Sequence, residues 1–536
     1  MCYSLNCGLR HGKKLGMSYP FLRLAFVCAL DFLLASGKSA GAAEIYARDG
    51  LEVRWDNTLR YSMALRPNSH SAELLSYING DDGDRNFAPG LVSNRFDLLS
   101  KLDIAAGDFG IHASAAGWYD TVYHARTDNS SPATSNTSAP AREFASEVKD
   151  LEGQHIELED AFAYGNFALG RMQVSARAGR QTLLGGESRF FDPNSIAAAM
   201  APTDYLRTMT DQGGYSGNMF LPVTQASLTL QPASWFSLSF YDQFEWRASR
   251  QPGDGSYLSY VDYIGVGAAR LFLTPDRFLL RNTDRGPAAG QYGLTLHASA
   301  ADVDLGFYAF RFRAKDPIAA LVADPALAGQ TGPVGYYRLV YPTGINLYGA
   351  SFSTDWDGNI LAGEVSARQN MPLVSYDPRV PQSGAPIGMP YYSRGNTLHS
   401  QVSITTELTE TSLWDRADAA AEIATDHILN FSSMAVGVPP FSRFAMKARA
   451  RIEPHYFQVL PNLDVGGVAE LGLNMAGHSF SYYTQNSGTG DFRIGVSGTY
   501  LSAWKAGISY VGFIGASTRQ PLADRDFVLL NLERTF

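Results

Sequence analysis

The chain is poor in cysteine, has no long apolar run and carries no excess of positive charge. Its three cysteines, Cys2, Cys7 and Cys28, all fall in the first segment. Residues 44–536 therefore hold no disulfide, no thiolate zinc site and no cysteine nucleophile. No run of 18 apolar residues follows the first segment, which excludes a membrane-spanning helix. The formal net charge is −9, from 43 basic and 52 acidic side chains, so nucleic acid, a polyanion, is excluded as a partner. The ten histidines show no H-E-x-x-H spacing, and no metal ion or cofactor is expected. Gly214-Tyr215-Ser216-Gly217-Asn218 approaches a serine-hydrolase elbow but lacks its second glycine at the required spacing. A lipid-modifying enzyme would need a Ser/His pair near the lipid boundary, and no motif nominates one. No catalytic residue is assigned, and the chain is expected not to be an enzyme.

Residues 1–43 have the order of an export signal. Arg10, Lys13, Lys14 and Arg23 precede an apolar run from Leu24 to Ala35, and Ala40-Gly41-Ala42 supplies small residues before Ala43-Glu44. Cleavage is expected near Ala42 or Ala43, and Met17 is an alternative start. The apolar run is too short to anchor in a bilayer. Val27 precedes Cys28, where a lipoprotein signal needs a small residue. Removal of residues 1–42 leaves 38 basic and 51 acidic side chains, a net charge of about −13. What remains, 44–536, is long for one soluble domain.

Abundant glycine and aromatics (51 Gly, 30 Phe, 28 Tyr, 7 Trp) accompany a period-two alternation of apolar and polar residues. Phe236, Leu238, Phe240, Phe244 and Trp246 oppose Ser237, Ser239, Tyr241, Gln243 and Glu245. Asp242 falls on the apolar side and calls for a bulge, an interface position or another register. The last residues, 527–536, carry Val528, Leu530, Leu532 and Phe536 on one face and Asn531, Glu533 and Thr535 on the other. Arg534 breaks the apolar face near the terminus, where its long side chain can snorkel. This is the pattern of strands with lipid on one side and water on the other.

Segments with this pattern fall near 51–66, 93–106, 109–123, 156–169, 171–182, 222–230, 234–248, 291–300, 302–314, 345–356, 359–371, 396–408, 416–427, 443–455, 462–474, 490–500, 503–515 and 526–536. They alternate between short turns and long polar loops. The turns are expected at Ala106-Gly107-Asp108, Gly165-Asn166-Phe167, Gln231-Pro232-Ala233, Ala301-Asp302, Asp357-Gly358, Pro461-Asn462 and Ser502-Ala503. The long loops are 67–92, 124–155, 183–221, 249–290, 315–344 and 372–395. The expected fold is an all-β transmembrane antiparallel barrel of about 18 strands, with 16 as the alternative. Its periplasmic turns are short and its extracellular loops long, with short helices. The seven tryptophans, among them Trp235, Trp356, Trp414 and Trp504, lie in or beside strands and mostly near their ends, as in an aromatic girdle.

The polar faces supply the candidate wall of a pore: Arg95, Asp97, Lys101, Asp103, Asp418, Glu422, Lys447, Arg449, Arg451, Glu470, Arg493 and Lys505. Charges of this density cost a few kcal/mol each on a lipid face and so require a wet or protein-filled interior. A hairpin through 428–442 that sets Glu422 opposite Lys447 would also set Asp418 opposite Arg451. These charges either orient solutes in a pore or form ion pairs that satisfy the wall. Ser195–Ala201, bounded by Asn194 and Pro202, is expected to be a short helix. Through Ile196 and Met200 it either constricts the mouth or packs on the rim. Asp81-Asp82-Gly83-Asp84 fails the twelve-residue calcium loop, lacking Gly at the sixth place and Glu at the twelfth, and is expected to be a solvated turn.

Asn79-Gly80-Asp81-Asp82-Gly83-Asp84-Arg85-Asn86-Phe87, followed by Ser93-Asn94-Arg95-Phe96-Asp97, and Gly179-Arg180-Gln181 with Gly186-Glu187-Ser188, resemble the domain-of-unknown-function 1302 family. The resemblance runs through nearly all of the exported chain. Family members usually carry a tryptophan before the Gly-Glu-Ser, where this chain has Gly185. The resemblance implies a porin-like barrel of the Gram-negative outer membrane, associated with breakdown and uptake of hydrophobic compounds such as steroids, terpenes or aromatics. It implies no catalytic residues. The expected function is a channel for small organic, hydrophobic or aromatic solutes; the alternative is a plugged structural or interaction barrel. Expected partners are outer-membrane lipid and lipopolysaccharide, the solute, and the barrel-assembly machinery through Phe536.

Overall fold

The computed structural model describes residues 43–48, 50–210, 219–284, 286–288, 290–327, 329–373, 392–433, 442–479 and 486–536. The segment 1–42 and the elbow-like Gly214–Asn218 lie outside the described residues.

Eighteen antiparallel strands form the barrel. In chain order they are β1 (Leu51–Arg66), β2 (Gly90–Ala106), β3 (Phe109–Asp120), β4 (Gln154–Leu169), β5 (Met172–Gln181) and β6 (Val223–Ala233). Next come β7 (Phe236–Gln243), β8 (Gln291–Ala300), β9 (Val303–Phe312), β10 (Ile345–Trp356), β11 (Asn359–Leu373) and β12 (Ser393–Leu408). The last are β13 (Arg416–Ser433), β14 (Phe444–Leu460), β15 (Leu463–Ala476), β16 (Gly490–Tyr500), β17 (Trp504–Ile514) and β18 (Phe527–Thr535). Each pairs with its neighbour in sequence, and β18 returns to β1 from Leu65↔Val528 to Thr58↔Thr535. Phe536 completes the seam, exchanging N–H···O bonds of 2.9 Å with Asn57 in both directions. A closed sheet leaves no unpaired edge, which is the condition for a β-structure to cross a bilayer.

The outward face is apolar. Ile156, Leu158, Leu228, Phe240, Leu294, Phe307, Tyr348, Val402, Ile423, Leu471, Ile494 and Ile508 are all exposed, while Glu157, Glu422, Glu470 and Arg493, each next to one of them in sequence, point inward. A greasy exterior around a polar interior on a closed barrel places the protein in the bacterial outer membrane. Arg534, on the outward face, lays its guanidinium 4.9 Å from the centre of the Trp504 ring. Asp242 stays in register with Tyr292 and Ala226 one residue from the end of β7, an interface position without a bulge.

Several details differ from expectation. Gly165-Asn166-Phe167 is not a turn: β4 continues to Leu169, because Phe167 and Leu169 extend its apolar face, and the chain reverses at Gly170 (φ 64°). The turn expected at Gln231-Pro232-Ala233 falls at Ser234-Trp235. Asp357 (φ 54°) and Gly358 (φ 78°) make the tight reversal that an Asp-Gly pair favours. Trp118 does not join a girdle; it is 2% exposed and faces the lumen. The long loops also contain a second sheet, with strands at Arg270–Thr274, Arg277–Arg281, Ile318–Ala323 and Gly332–Val340. It closes over a small core of Leu271, Leu279, Leu321, Val334, Tyr337 and Leu339. Ala43–Arg48 folds back on the start of β1.

Candidate functional site

The inner wall of β11, β12 and β13 carries Glu364, Arg368, His399, Gln401 and Glu422, all nearly fully buried. Their partners are the backbone of the loop that joins β5 to β6. Glu364 accepts hydrogen bonds from Glu187 N (2.6 Å) and Ile196 N (2.7 Å). Glu422 accepts from Phe190 N (2.5 Å), Arg189 N (3.1 Å) and Ser188 Oγ (3.3 Å). Arg368 donates to the carbonyls of Asn194 (2.6 Å), Ser195 (2.8 Å) and Pro193 (3.3 Å). Nδ1 of His399 lies 2.8 Å from Asn194 Oδ1. The loop thus lies inside the barrel, its N–H groups on carboxylates and its carbonyls on a guanidinium, so that buried polar groups on both sides are satisfied.

The expected helix is instead two short 3₁₀ turns, Asp192–Asn194 and Ile196–Ala199. Capping falls to Ser195, whose Oγ accepts from Ala198 N at 3.3 Å, rather than to Asn194. Asn194 faces the wall, and strong side-chain contacts outweigh helix continuity in so short a segment. Ile196 and Met200 are buried against the inner wall with Tyr241, Tyr308, Phe310, Ile345 and Leu347. Lys315 Nζ and Gln243 Nε2 donate to the Ala199 and Met200 carbonyls at 2.8 and 2.5 Å, closing the C-terminal end. A Cβ at Gly185 would stand 3.0 Å from the Tyr308 ring. Here, where family members usually have tryptophan, the small residue lets the loop close on that tyrosine.

The β13–β14 register differs by two residues from the expected one. Glu422 faces Arg449, Asp418 faces Glu453 and Lys447 faces Ala424. A slip of two keeps every side chain on its face, and the same inward set results. Lys447 covers the Phe191 ring at 4.8 Å. Arg449 pairs with Glu470 and, at 2.7 Å, with Asp491, and Arg451 pairs with Glu453. Arg493 stands opposite Glu470. Across the lumen Arg95 and Arg60 share Asp97 at 2.6 and 3.9 Å, and Arg95 also lies 4.6 Å from the Trp118 ring.

Lys101, Asp103, Asp418 and Lys505 sit toward the short-turn end. There Asp103 meets His112 at 2.5 Å and Asp418 meets His455 at 2.9 Å, while Lys505 faces Glu533. The candidate set is therefore not one cluster but a mid-depth group and a group at the periplasmic opening. Glu364, Arg368 and Arg60 were missed, although the same period-two alternation places each on a polar face.

A second loop segment, Ser249–Tyr260, joins the first inside the barrel. Arg250 bonds Asp204 at 2.9 Å and also pairs with Glu157, and Arg207 pairs with Glu159. Around these segments lie three cavities. One of about 190 Å³ is lined by Phe190, Phe191, Asp192, Tyr205, Tyr260 and Phe513 against Arg449 and Asp491. Another, of about 90 Å³, sets Arg60, Arg95 and Arg493 against Leu206, Tyr257, Leu258 and Phe527. The third, of about 100 Å³, surrounds Lys315 and Phe312. Aromatic surface and guanidinium groups thus face each other across the first two of these cavities.

The family model for the protein of unknown function DUF1302 matches residues 23–536. The chain belongs to the DUF1302 family. No curated protein matches it. Among solved structures, OccAB2 of Acinetobacter baumannii is similar at 10% identity and a TM-score of 0.44, over 90% of this chain and 98% of that one. A BenF-like porin of Pseudomonas fluorescens Pf-5 is similar at 8% identity and a TM-score of 0.41, over 90% and 98%. OccK11 (OpdR) of Pseudomonas aeruginosa is similar at 10% identity and a TM-score of 0.40, over 90% and 95%.

Proposed function

We propose that this DUF1302 barrel is an outer-membrane channel for small organic solutes that combine an apolar or aromatic body with an acidic group. The observation that carries this reading is the pair of lumenal cavities in which aromatic side chains oppose arginines, Phe190, Phe191 and Phe513 against Arg449 and Tyr257 and Phe527 against Arg60, Arg95 and Arg493. Such a lining desolvates an apolar body on one side while a guanidinium takes a carboxylate on the other. The loop 183–203 narrows the passage, and the charges of β11–β13 hold it there. Apolar acids cross a lipopolysaccharide leaflet poorly, and this path relieves that barrier.

Swelling of liposomes that contain the purified barrel tests the proposal. Aromatic carboxylates are expected to enter faster than neutral sugars of the same size, and Arg449→Ala with Arg493→Ala is expected to reduce that preference severalfold. The two loop segments that cross the lumen also suit a plugged barrel that serves only as a surface structure. Absence of both swelling and single-channel conductance would establish that reading and end the transport proposal.

A further inference from the structure

The long loops hold a second polar site, distinct from the charges of the barrel wall. Asp82 belongs not to a solvated turn but to a buried helical turn, Asp82–Arg85, and is 1% exposed. Its carboxylate accepts from Asn136 N (2.7 Å), Ser135 Oγ (3.1 Å) and Asn129 Nδ2 (3.3 Å). Its own N–H donates to Asp262 Oδ2 at 2.8 Å. Asp254, 4% exposed, lines the same cavity of about 70 Å³. Neither carboxylate oxygen of Asp254 receives a hydrogen bond, and neither Thr127 Oγ1, on the same cavity, nor Asp262 Oδ1 has a partner.

The arginines nearby are engaged elsewhere. Arg66 pairs with Asp84 (2.6 Å) and Asp524 (3.3 Å), Arg85 with Asp81 (2.5 Å), and Arg281 with Asp284 (2.8 Å). Arg525 donates to the carbonyls of Tyr257 (3.0 Å), Ser259 and Gly80 (3.3 Å). Of the two arginines that line the cavity, Arg270 lies over the Phe278 ring at 5.4 Å and Arg142 donates to the Thr127 carbonyl at 3.0 Å. Burial, and then Asp82 and Asp262, push the Asp254 carboxyl well above the ordinary carboxylate range. A buried carboxylate without a donor, Asp254, facing a second buried carboxylate, Asp82, is a costly arrangement unless a cation joins them.

We propose that this cavity binds a calcium ion between Asp254 and Asp82, with neutral oxygens from Thr127, Asn129 or Ser135 and water completing the shell. Oxygen-only ligands of mixed charge on three loops suit calcium, which accepts irregular shells, better than magnesium, which demands an octahedron. Among the described residues no three Asp, Glu, His or Cys side chains converge at metal-ligand spacing. Two carboxylates therefore set the charge, and the affinity falls in the weak range of extracellular calcium modules, with Kd on the order of 10⁻⁴–10⁻³ M. The volume exceeds the roughly 30 Å³ share of a single water, leaving room for an ion and a water. Bound there, the ion ties the loops 67–89, 121–153 and 244–269 together.

The test uses the full barrel in defined detergent, free of lipopolysaccharide and stripped with a chelator, then titrated with calcium chloride by calorimetry and thermal unfolding. Wild type is expected to bind about one ion per chain and to unfold at higher temperature with calcium. Asp254→Asn is expected to bind at least about tenfold more weakly and to lose the calcium-dependent rise. Without calcium it is expected to be no less stable than wild type, because a repulsive carboxylate is gone. Should Asp254→Asn fail to assemble, the wild-type titration with Thr127→Val, expected to bind severalfold more weakly, decides. No binding by wild type up to about 10 mM, or equal binding by an assembled variant, overturns the proposal; Asp254 is then simply a protonated neighbour of Asp82.

Discussion

Asp192 shows how one residue sets the response of the lumenal loop to pH. It stands 8% exposed on the large cavity. Burial, and then Glu422 and Glu364, raise its pKa to about 7 against the opposing pull of Lys447. A raised carboxyl pKa means that the docked loop holds a proton the freed loop gives up, so docking is strongest below the ordinary Asp range, weakens as pH rises from there to about 7 and levels off above it. Conductance in planar bilayers is expected to rise from about pH 4 to about pH 7 and to level off above it, and Asp192→Asn to flatten that rise. A wild-type profile that stays flat from about pH 4 to about pH 7 would contradict the assignment. Sequence alone shows Asp192 as one more loop aspartate; its neighbours Glu422 and Glu364 lie about 230 and 172 positions away, and only the folded chain makes it their companion.

At the scale of the element, the short strands and their facing were legible because face alternation is local. Val402 out and Gln401 in needs only the pleat. The loops were not. The lumenal loop has little helix-forming length, and its conformation comes from Glu364, Arg368 and Glu422 on three strands. Replacing Glu364 and Glu422 together by Gln removes the charge from five loop hydrogen bonds, each worth roughly 1–2 kcal/mol more when ionised than when neutral. Single-channel recordings are expected to show larger and noisier currents, by about twofold, with the barrel still intact by heat-modifiable gel mobility. The second sheet was hidden for a related reason. Arg270–Thr274 and Arg277–Arg281 flank a Pro275-Asp276 turn, but runs of five residues set in polar surroundings give a weak periodic signal.

For the whole molecule, closure is the decisive event. The seam between β18 and β1 ends on paired N–H···O bonds between Phe536 and Asn57, and Thr58 and Thr535 hydroxyls meet at 3.1 Å beside it. Deletion of Phe536 removes the terminal pair and the aromatic proposed to be recognised by the assembly machinery. The yield of heat-modifiable barrel in outer-membrane fractions is expected to fall severalfold, while barrel that does assemble keeps its conductance. Unchanged yield would show that the seam and its recognition rest on the strand alone.

The amino-acid order by itself pointed to a membrane barrel of about 18 strands, with 16 still open, and to which side of each strand faces lipid, because a period of two is a property of neighbours along one strand. It also marked a family motif at 79–87. Tertiary structure decided the rest. A register slip of two residues leaves every face unchanged, so Glu422 could meet Lys447 or Arg449 on equal local terms, and the folded barrel sets it opposite Arg449. The use of the wall charges was likewise non-local: some line the cavities, while others hold the loop that divides them.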